Sequence, residues 1–139
     1  MAIRNLLRTA AGVVALITAV AFGTPATAGD VTIQTLDQCP SGYFCVWEAS
    51  YYSAGMVKWF GSDADWRNNY YPGPTTANNN DYSWYNHGTA CAGCDKVRVF
   101  DGLNYGGGVT LCLTRGQAVS INWNANGRGS SHSWYGTCP

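Results

Sequence analysis

The sequence predicts an all-β fold, a disulfide-stapled sandwich assembled from two similar halves. Three observations carry that prediction. Strand- and turn-forming residues dominate after the first 28 positions, all six cysteines fall in that same stretch, and a segment of its first half aligns with one of its second without a gap.

The chain opens with Arg4 and Arg8, an uncharged apolar run from Ala10 to Phe22, and a small-residue stretch, Gly23 to Ala28, ending Ala26-Thr27-Ala28. That is the layout of a secretory signal with an A-x-A cleavage site. The run is shorter than the about 20 apolar residues that span a membrane. Residues 1–28 are therefore expected to be removed and a soluble, extracellular protein released, with no membrane partner. Residues 29–38 are expected to form an N-terminal arm, loose or added as an edge strand. Residues 39–138 are expected to form a single domain.

The leader holds two of the eight basic residues and none of the eight acidic ones, so the mature chain carries six basic against eight acidic side chains, a net charge of −2. Phosphate binding needs a basic face, which argues against a nucleic-acid partner. A domain of this size buries a limited core and gains from covalent staples. Cys39, Cys45, Cys91, Cys94, Cys112 and Cys138 form an even set in an exported chain and read as a disulfide framework. Spacing leaves the connectivity open. The expected pairs are Cys39–Cys45, Cys91–Cys94 and Cys112–Cys138: the first two are close in sequence, and the third would tie the C-terminus to a strand.

Strand-type runs are Tyr43 to Glu48, Gly55 to Phe60, Lys96 to Asp101, Val109 to Leu113 and Ala118 to Asn122. Val109, Leu111 and Leu113 alternate with Thr110 and Cys112, giving one apolar face. Phe44 to Phe60 aligns with Val97 to Leu113, which sets Trp47 on Phe100, Glu48 on Asp101, Tyr52 on Tyr105 and Gly55 on Gly108. Further on, Ser83-Trp84-Tyr85 is echoed by Ser133-Trp134-Tyr135. The halves are thus about 39–88 and 95–138, each reading as strand, tight turn, strand, long loop and final strand. One such unit cannot cover its own apolar face, whereas two share a core as a sandwich.

No residue set reads as an active site. Cys91-Ala92-Gly93-Cys94 has the spacing of a redox dithiol or half a zinc site, but no βαβ context and no second ligand pair accompany it. A structural bridge is the expected reading. His132 lies among Ser130, Ser131 and Ser133, yet no orienting carboxylate or nucleophile elbow is evident. Glu48, Asp63, Asp65, Asp81 and Asp101 could supply a glycosidase pair. Glu48 and Asp101, however, are repeat equivalents, which suits a fold role such as bonding turn amides. Trp59, Trp66, Tyr70, Tyr71, Tyr82 and Trp123 could make a sugar- or protein-binding face. Most aromatics in a small β-domain are core, and Tyr70-Tyr71, in a loop from Asn68 to Asp81, is the better candidate for contact.

Phe100-Asp101-Gly102-Leu103-Asn104-Tyr105-Gly106-Gly107 resembles the βγ-crystallin Greek-key signature. Cys39 to Glu48, with Val97 to Asp101 and Gly108 to Leu113 in the second half, more closely resembles a family of secreted actinobacterial peptidase inhibitors. That family is typified by the Streptomyces metalloproteinase inhibitor. The resemblance covers nearly all of the mature chain and implies a βγ-crystallin-like sandwich of two Greek-key motifs. Cys91 and Cys94 look like an addition to the family pattern. In the first half the crystallin glycine position is Ala54, with Gly55 one residue late, so that turn is expected to be distorted.

Crystallin-type calcium sites follow the pattern Asn/Asp-Asn/Asp-x-x-Ser/Thr-Ser, whose oxygens suit a hard cation. Asn79, Asn80 and Ser83 match it in part in the first half, and Asn126 and Ser130 in the second. Both matches are degraded, and the favoured reading is that these side chains bond the loop backbone. No cofactor is then required, with calcium the one possible ligand. The resemblance implies a monomeric peptidase inhibitor, not an enzyme, with a metallopeptidase as the favoured target. It would act through a rigid loop inserted into the protease cleft; Tyr70-Tyr71 and Ala92-Gly93 are the candidates, neither assigned by the resemblance. The alternatives are a non-inhibitory extracellular binding or structural module stabilised by calcium, and a toxin on the same scaffold.

Overall fold

The computed structural model describes residues 35–139. The expected leader, 1–28, and residues 29–34 of the expected arm lie outside the described residues. Seven strands form two antiparallel sheets. The first half supplies β1 (Tyr43–Ala49), β2 (Ser53–Trp59) and β3 (Ser83–His87). The second supplies β4 (Lys96–Phe100), β5 (Val109–Leu113), β6 (Ala118–Val119) and β7 (Ser131–Tyr135). One sheet runs β2-β1-β3-β6 and the other β5-β4-β7. Helical structure among the described residues is limited to three-residue 3₁₀ turns.

The order β2-β1-β3-β6 contains an exchange. β6 belongs to the second half but pairs with β3 of the first, Trp84 opposite Val119 and Tyr85 opposite Ala118. The first half returns a single bridge: Asp63 N–H donates to His132 O at 3.0 Å, and His132 N–H to Asp63 O at 2.8 Å. Each exchanged segment then reaches the opposite hairpin turn. Tyr51 N–H donates to Ser120 O and Asn104 N–H to Ala64 O, both at 2.8 Å. Two interlocked Greek keys result. The run expected as a strand from Ala118 to Asn122 is shortened to two residues, because Ser120 turns to meet Tyr51.

The two hairpin turns fold over in the same way. Tyr51 and Asn104 take φ of 59° and 54°, and Tyr52 and Tyr105 take 57° and 60°. A buried serine clamps each turn. Ser83 Oγ accepts Tyr52 N–H at 3.0 Å and donates to Ala49 O at 2.7 Å. Ser131 Oγ accepts Tyr105 N–H at 3.1 Å and donates to Gly102 O at 2.6 Å. These bonds correct one sequence expectation. The counterpart of Ser83 is Ser131, so Ser83–His87 matches Ser131–Tyr135, and the Ser-Trp-Tyr echo is two residues out of step. Trp84 therefore corresponds to His132, not to Trp134.

The expected distortion at Ala54 is also corrected. Ala54 adopts φ 62°, close to the 72° of its equivalent Gly107, so the turn keeps its shape and alanine bears the left-handed strain. Residues 35–38 form no edge strand. Leu36–Gln38 is a 3₁₀ turn, and Leu36 packs with Cys39, Cys45 and Trp47 on the outer face of β1. The bridges join Cys39 to Cys45, Cys91 to Cys94 and Cys112 to Cys138.

Between the sheets, Phe44, Val46, Trp59 and Trp84 meet Val97, Val99 and Leu113. Trp66 enters this core from the loop after β2. Its Nε1–H donates to His132 Nδ1 at 2.9 Å, and His132 Nε2–H donates to Gly61 O at 3.0 Å. Both ring nitrogens are engaged in the neutral form, and burial holds His132 down to about 3. Asp81, also buried, accepts from Trp84 Nε1–H at 2.9 Å and Gly129 N–H at 2.8 Å. Burial raises its carboxyl to about 7 against these bonds. Gly129 is required here, since a Cβ would run into the Trp66 ring and the Asp81 carboxylate.

Two predictions follow from these strained and buried groups. Ala54→Gly is expected to stabilise the domain by about 0.5–1 kcal/mol, the left-handed penalty less the added unfolded-state freedom of glycine. Gly107→Ala is expected to destabilise, because its methyl would meet the Asp101 carboxylate. Urea denaturation of the two variants checks both signs.

Asp81 and His132 set opposite pH slopes. The raised Asp81 contributes stability that is full below its unfolded value of 3.8 and lost as pH climbs through about 7. The lowered His132 contributes stability present above its unfolded value of 6.5 and lost as pH falls towards about 3. Asp81→Asn leaves only the second slope. Its melting temperature should climb more than that of the parent protein between about pH 4.5 and 6.5, by at least about 4 °C. Parallel thermal melts across that range would refute the assignment.

Candidate functional site

The side chains that could suggest catalysis are engaged in the fold. His132 is fully buried, and the Ser131 hydroxyl clamps a hairpin. Ser133 Oγ shares a hydrogen bond with Ser62 Oγ at 2.9 Å. His87 bonds Cys39 O through Nδ1 at 2.8 Å and stacks on Tyr85. Asp101 accepts Gly108 N–H at 2.7 Å and pairs with Arg128, and these bonds hold its carboxyl below the usual range. That is the turn-amide role expected of it. Glu48, its equivalent, lies against Gly55. Asp63 accepts from Asp65 N–H and Asn69 Nδ2, and Asp65 is held to about 2 by its hydrogen bonds from Arg67.

The left-handed Asn79, φ 57°, matches Gly127, φ 66°. Across the two halves Asn79 N–H donates to Gly129 O at 2.8 Å and Gly127 N–H to Asp81 O at 2.7 Å. The first-half counterpart of Asn126 is therefore Asn78, one residue before the position read from sequence. Of the residues singled out for calcium, Ser83 is committed to its hairpin. Asn80 Nδ2 donates to Thr76 O and Asn78 O. Asn126 Oδ1 accepts Asn122 N–H, and Ser130 Oγ donates to Asn79 Oδ1 at 3.3 Å. Asn78 Oδ1, missed in the sequence, is buried without a hydrogen-bond partner. No cluster of three or more His, Cys, Asp or Glu residues that could hold a metal occurs among the described residues.

The two loops considered for inhibition differ in what they present. Tyr71 is buried, its OH donating to Asn80 O at 2.9 Å, and burial pushes its phenol far up. Only Tyr70, 58% exposed, faces solvent. The loop has no bridge but is fastened by a Tyr70–Thr76 pairing and by Ala77 N–H donating to Asn69 O. Ala92 and Gly93 are exposed on a turn closed by the Cys91–Cys94 bridge, and the C-terminal Gly136 packs on Gly93. Beside this turn a cleft of about 260 Å³ opens between Phe60, Trp134 and the bridge. Phe60 is 73% exposed although its repeat partner Leu113 is core, so the repeat alone mispredicts it. The six aromatics do not form an exposed face: Trp59, Trp66 and Tyr71 are buried, and Tyr82 is half-buried. Trp123 stands out at 83% exposed.

A family model described as peptidase inhibitor family I36 matches residues 34–112. A solved structure described as "Evolution of the eye lens beta-gamma-crystallin domain fold" superposes with a TM-score of 0.54 at 18% identity. The match covers 69% of this chain and 88% of that one. At that identity the likeness is one of fold. No curated protein matches the chain. No helix among the described residues is long and apolar enough to cross a membrane.

Proposed function

The chain belongs to peptidase inhibitor family I36, and we propose that it is an exported, monomeric inhibitor of metallopeptidases acting by occlusion of the protease cleft. The family is one of inhibitors rather than enzymes, and its partner is a target peptidase. The observation that carries the reading is the family match itself, which spans the first Greek key and continues to Cys112. The leader-like segment Arg4 to Ala28 and three bridges support export.

The mechanism rests on rigidity. Loops held by a bridge or by backbone bonds lose little freedom on binding, so more of the contact energy survives as affinity. A loop that cannot relax after attack also stays in place and is cleaved slowly. The expected outcome is stoichiometric inhibition of a thermolysin-like metallopeptidase by the oxidised mature protein. Subtilisin-like and papain-like enzymes run alongside should be spared. A titration with no inhibition of any of the three would remove the reading.

Asn78 supports a second reading, a calcium-stabilised extracellular module. Its orphaned amide oxygen is a group a hard cation would satisfy. On that reading millimolar calcium raises the melting temperature over chelator by mass action, and Asn78→Ala abolishes the rise. Superimposed melts would leave the inhibitor reading alone.

A further inference from the structure

Occlusion needs a side chain that a protease subsite can grip, and the two loops read from sequence offer little. Ala92-Gly93 has no large side chain, and of the tyrosine pair Tyr71 is buried and Tyr70, 58% exposed, is less exposed than Trp123. Trp123 is the most exposed large apolar side chain among the described residues. It sits on the connection between β6 and β7, beyond the end of the family match.

The turn that carries it is fixed. The backbone N–H groups of Asn122, Asn124, Ala125, Asn126, Gly127 and Arg128 are all donated within the protein. Asn122 Oδ1 accepts Asn124 N–H at 3.0 Å, and Asn126 Oδ1 accepts Asn122 N–H at 3.2 Å, bracketing Trp123. Arg128 clamps the turn by donating to Asn124 O at 2.9 Å and to Asp101 at 3.0 Å. Ala125 is fully buried and pins the turn to the core. Arg128 is the one charged residue between Asn122 and Arg128, and it is paired, so burying the tip would strand no free charge. Tyr51, 66% exposed, stands on the adjoining turn, linked through its N–H to Ser120 O.

We propose that the Trp123 turn is the anchor by which this inhibitor holds its target, the indole entering an apolar subsite of the peptidase cleft with Tyr51 as a flanking contact. The assignment rests on the inhibitor reading above. Trp is the side chain that most often dominates protein interfaces, and it does so from well-ordered positions that exclude water. An indole carried on a turn fixed by these bonds has the backbone share of its ordering cost met before the encounter. The equivalent place in the first half is taken by the loop after Asp63, which sends Trp66 inward to His132. The outward tryptophan is thus not a requirement of the fold.

The test compares the parent protein with Trp123→Ala, Trp123→Phe and Tyr70→Ala against the metallopeptidase inhibited in the titration, with melts of each. Trp123→Ala should weaken inhibition by at least about 30-fold, Trp123→Phe should recover most of it, and Tyr70→Ala should stay within about threefold. The melting temperatures of the Trp123 variants should not move. N-bromosuccinimide should oxidise Trp123 first in the free protein and spare it in the complex. Trp123→Ala inhibiting within about threefold of the parent, with the indole still oxidised in the complex, overturns the anchor and leaves the inhibitor reading standing. A parent protein that inhibits no peptidase overturns both.

Discussion

Two backbone hydrogen bonds, Tyr51 to Ser120 and Asn104 to Ala64, hold the architecture in register. Each ties a folded hairpin of one half to a segment of the other. Without them the hairpin turns, with aromatic and asparagine residues in left-handed conformations, would carry their strain uncompensated. With them, each turn is gripped from below by a serine and from the side by the exchanged segment. The sheets then face each other at a fixed distance, and the aromatic core fills the space.

The two-fold pattern breaks where the core needs it to. Trp84 and His132 occupy equivalent places, yet one indole donates to Asp81 and the other position accepts from Trp66. Gly129, equivalent to Asp81, leaves room for both Trp66 and Asp81. Asp81, His132 and the Trp66 indole are thus buried together, and each finds a partner in this network. His132 completes an aromatic cage, its centroid 4.7 Å from that of Trp59 and 4.9 Å from that of Phe44. A histidine that reads in sequence as a catalytic candidate is structural for that reason.

Much of the fold was legible because strand patterns and the gap-free repeat are local signals. The hairpins β1–β2 and β4–β5 fall where Phe44 to Phe60 and Val97 to Leu113 placed them. The strand exchange was not legible, since pairing β6 with β3 or Asp63 with His132 is a long-range event with no local mark. The Ser-Trp-Tyr echo misled because identity of letters outweighed the serine's role, which is set by what its hydroxyl clamps. Side-chain direction was the weakest inference. Tyr70 and Tyr71 are neighbours with opposite fates, Phe60 points out where its repeat partner points in, and Trp123 was one aromatic among six. Exposure depends on which turn carries a residue, and turn geometry at Asn122 to Arg128 is built by asparagine side chains whose targets only the folded chain reveals.

The exchange of β6 for the Asp63 bridge also bears on how such a chain could arise. Each half sends its third segment to the other half's hairpin turn and leaves its own turn unserved. An ancestor the size of one half would have to take that segment from a second copy, making a swapped homodimer in which each subunit completed the other. Gene duplication and fusion would then convert an intermolecular exchange into an intramolecular one. Fusion of that kind would free the two copies from staying identical, and Trp84 and its counterpart His132 are one pair at which the halves differ.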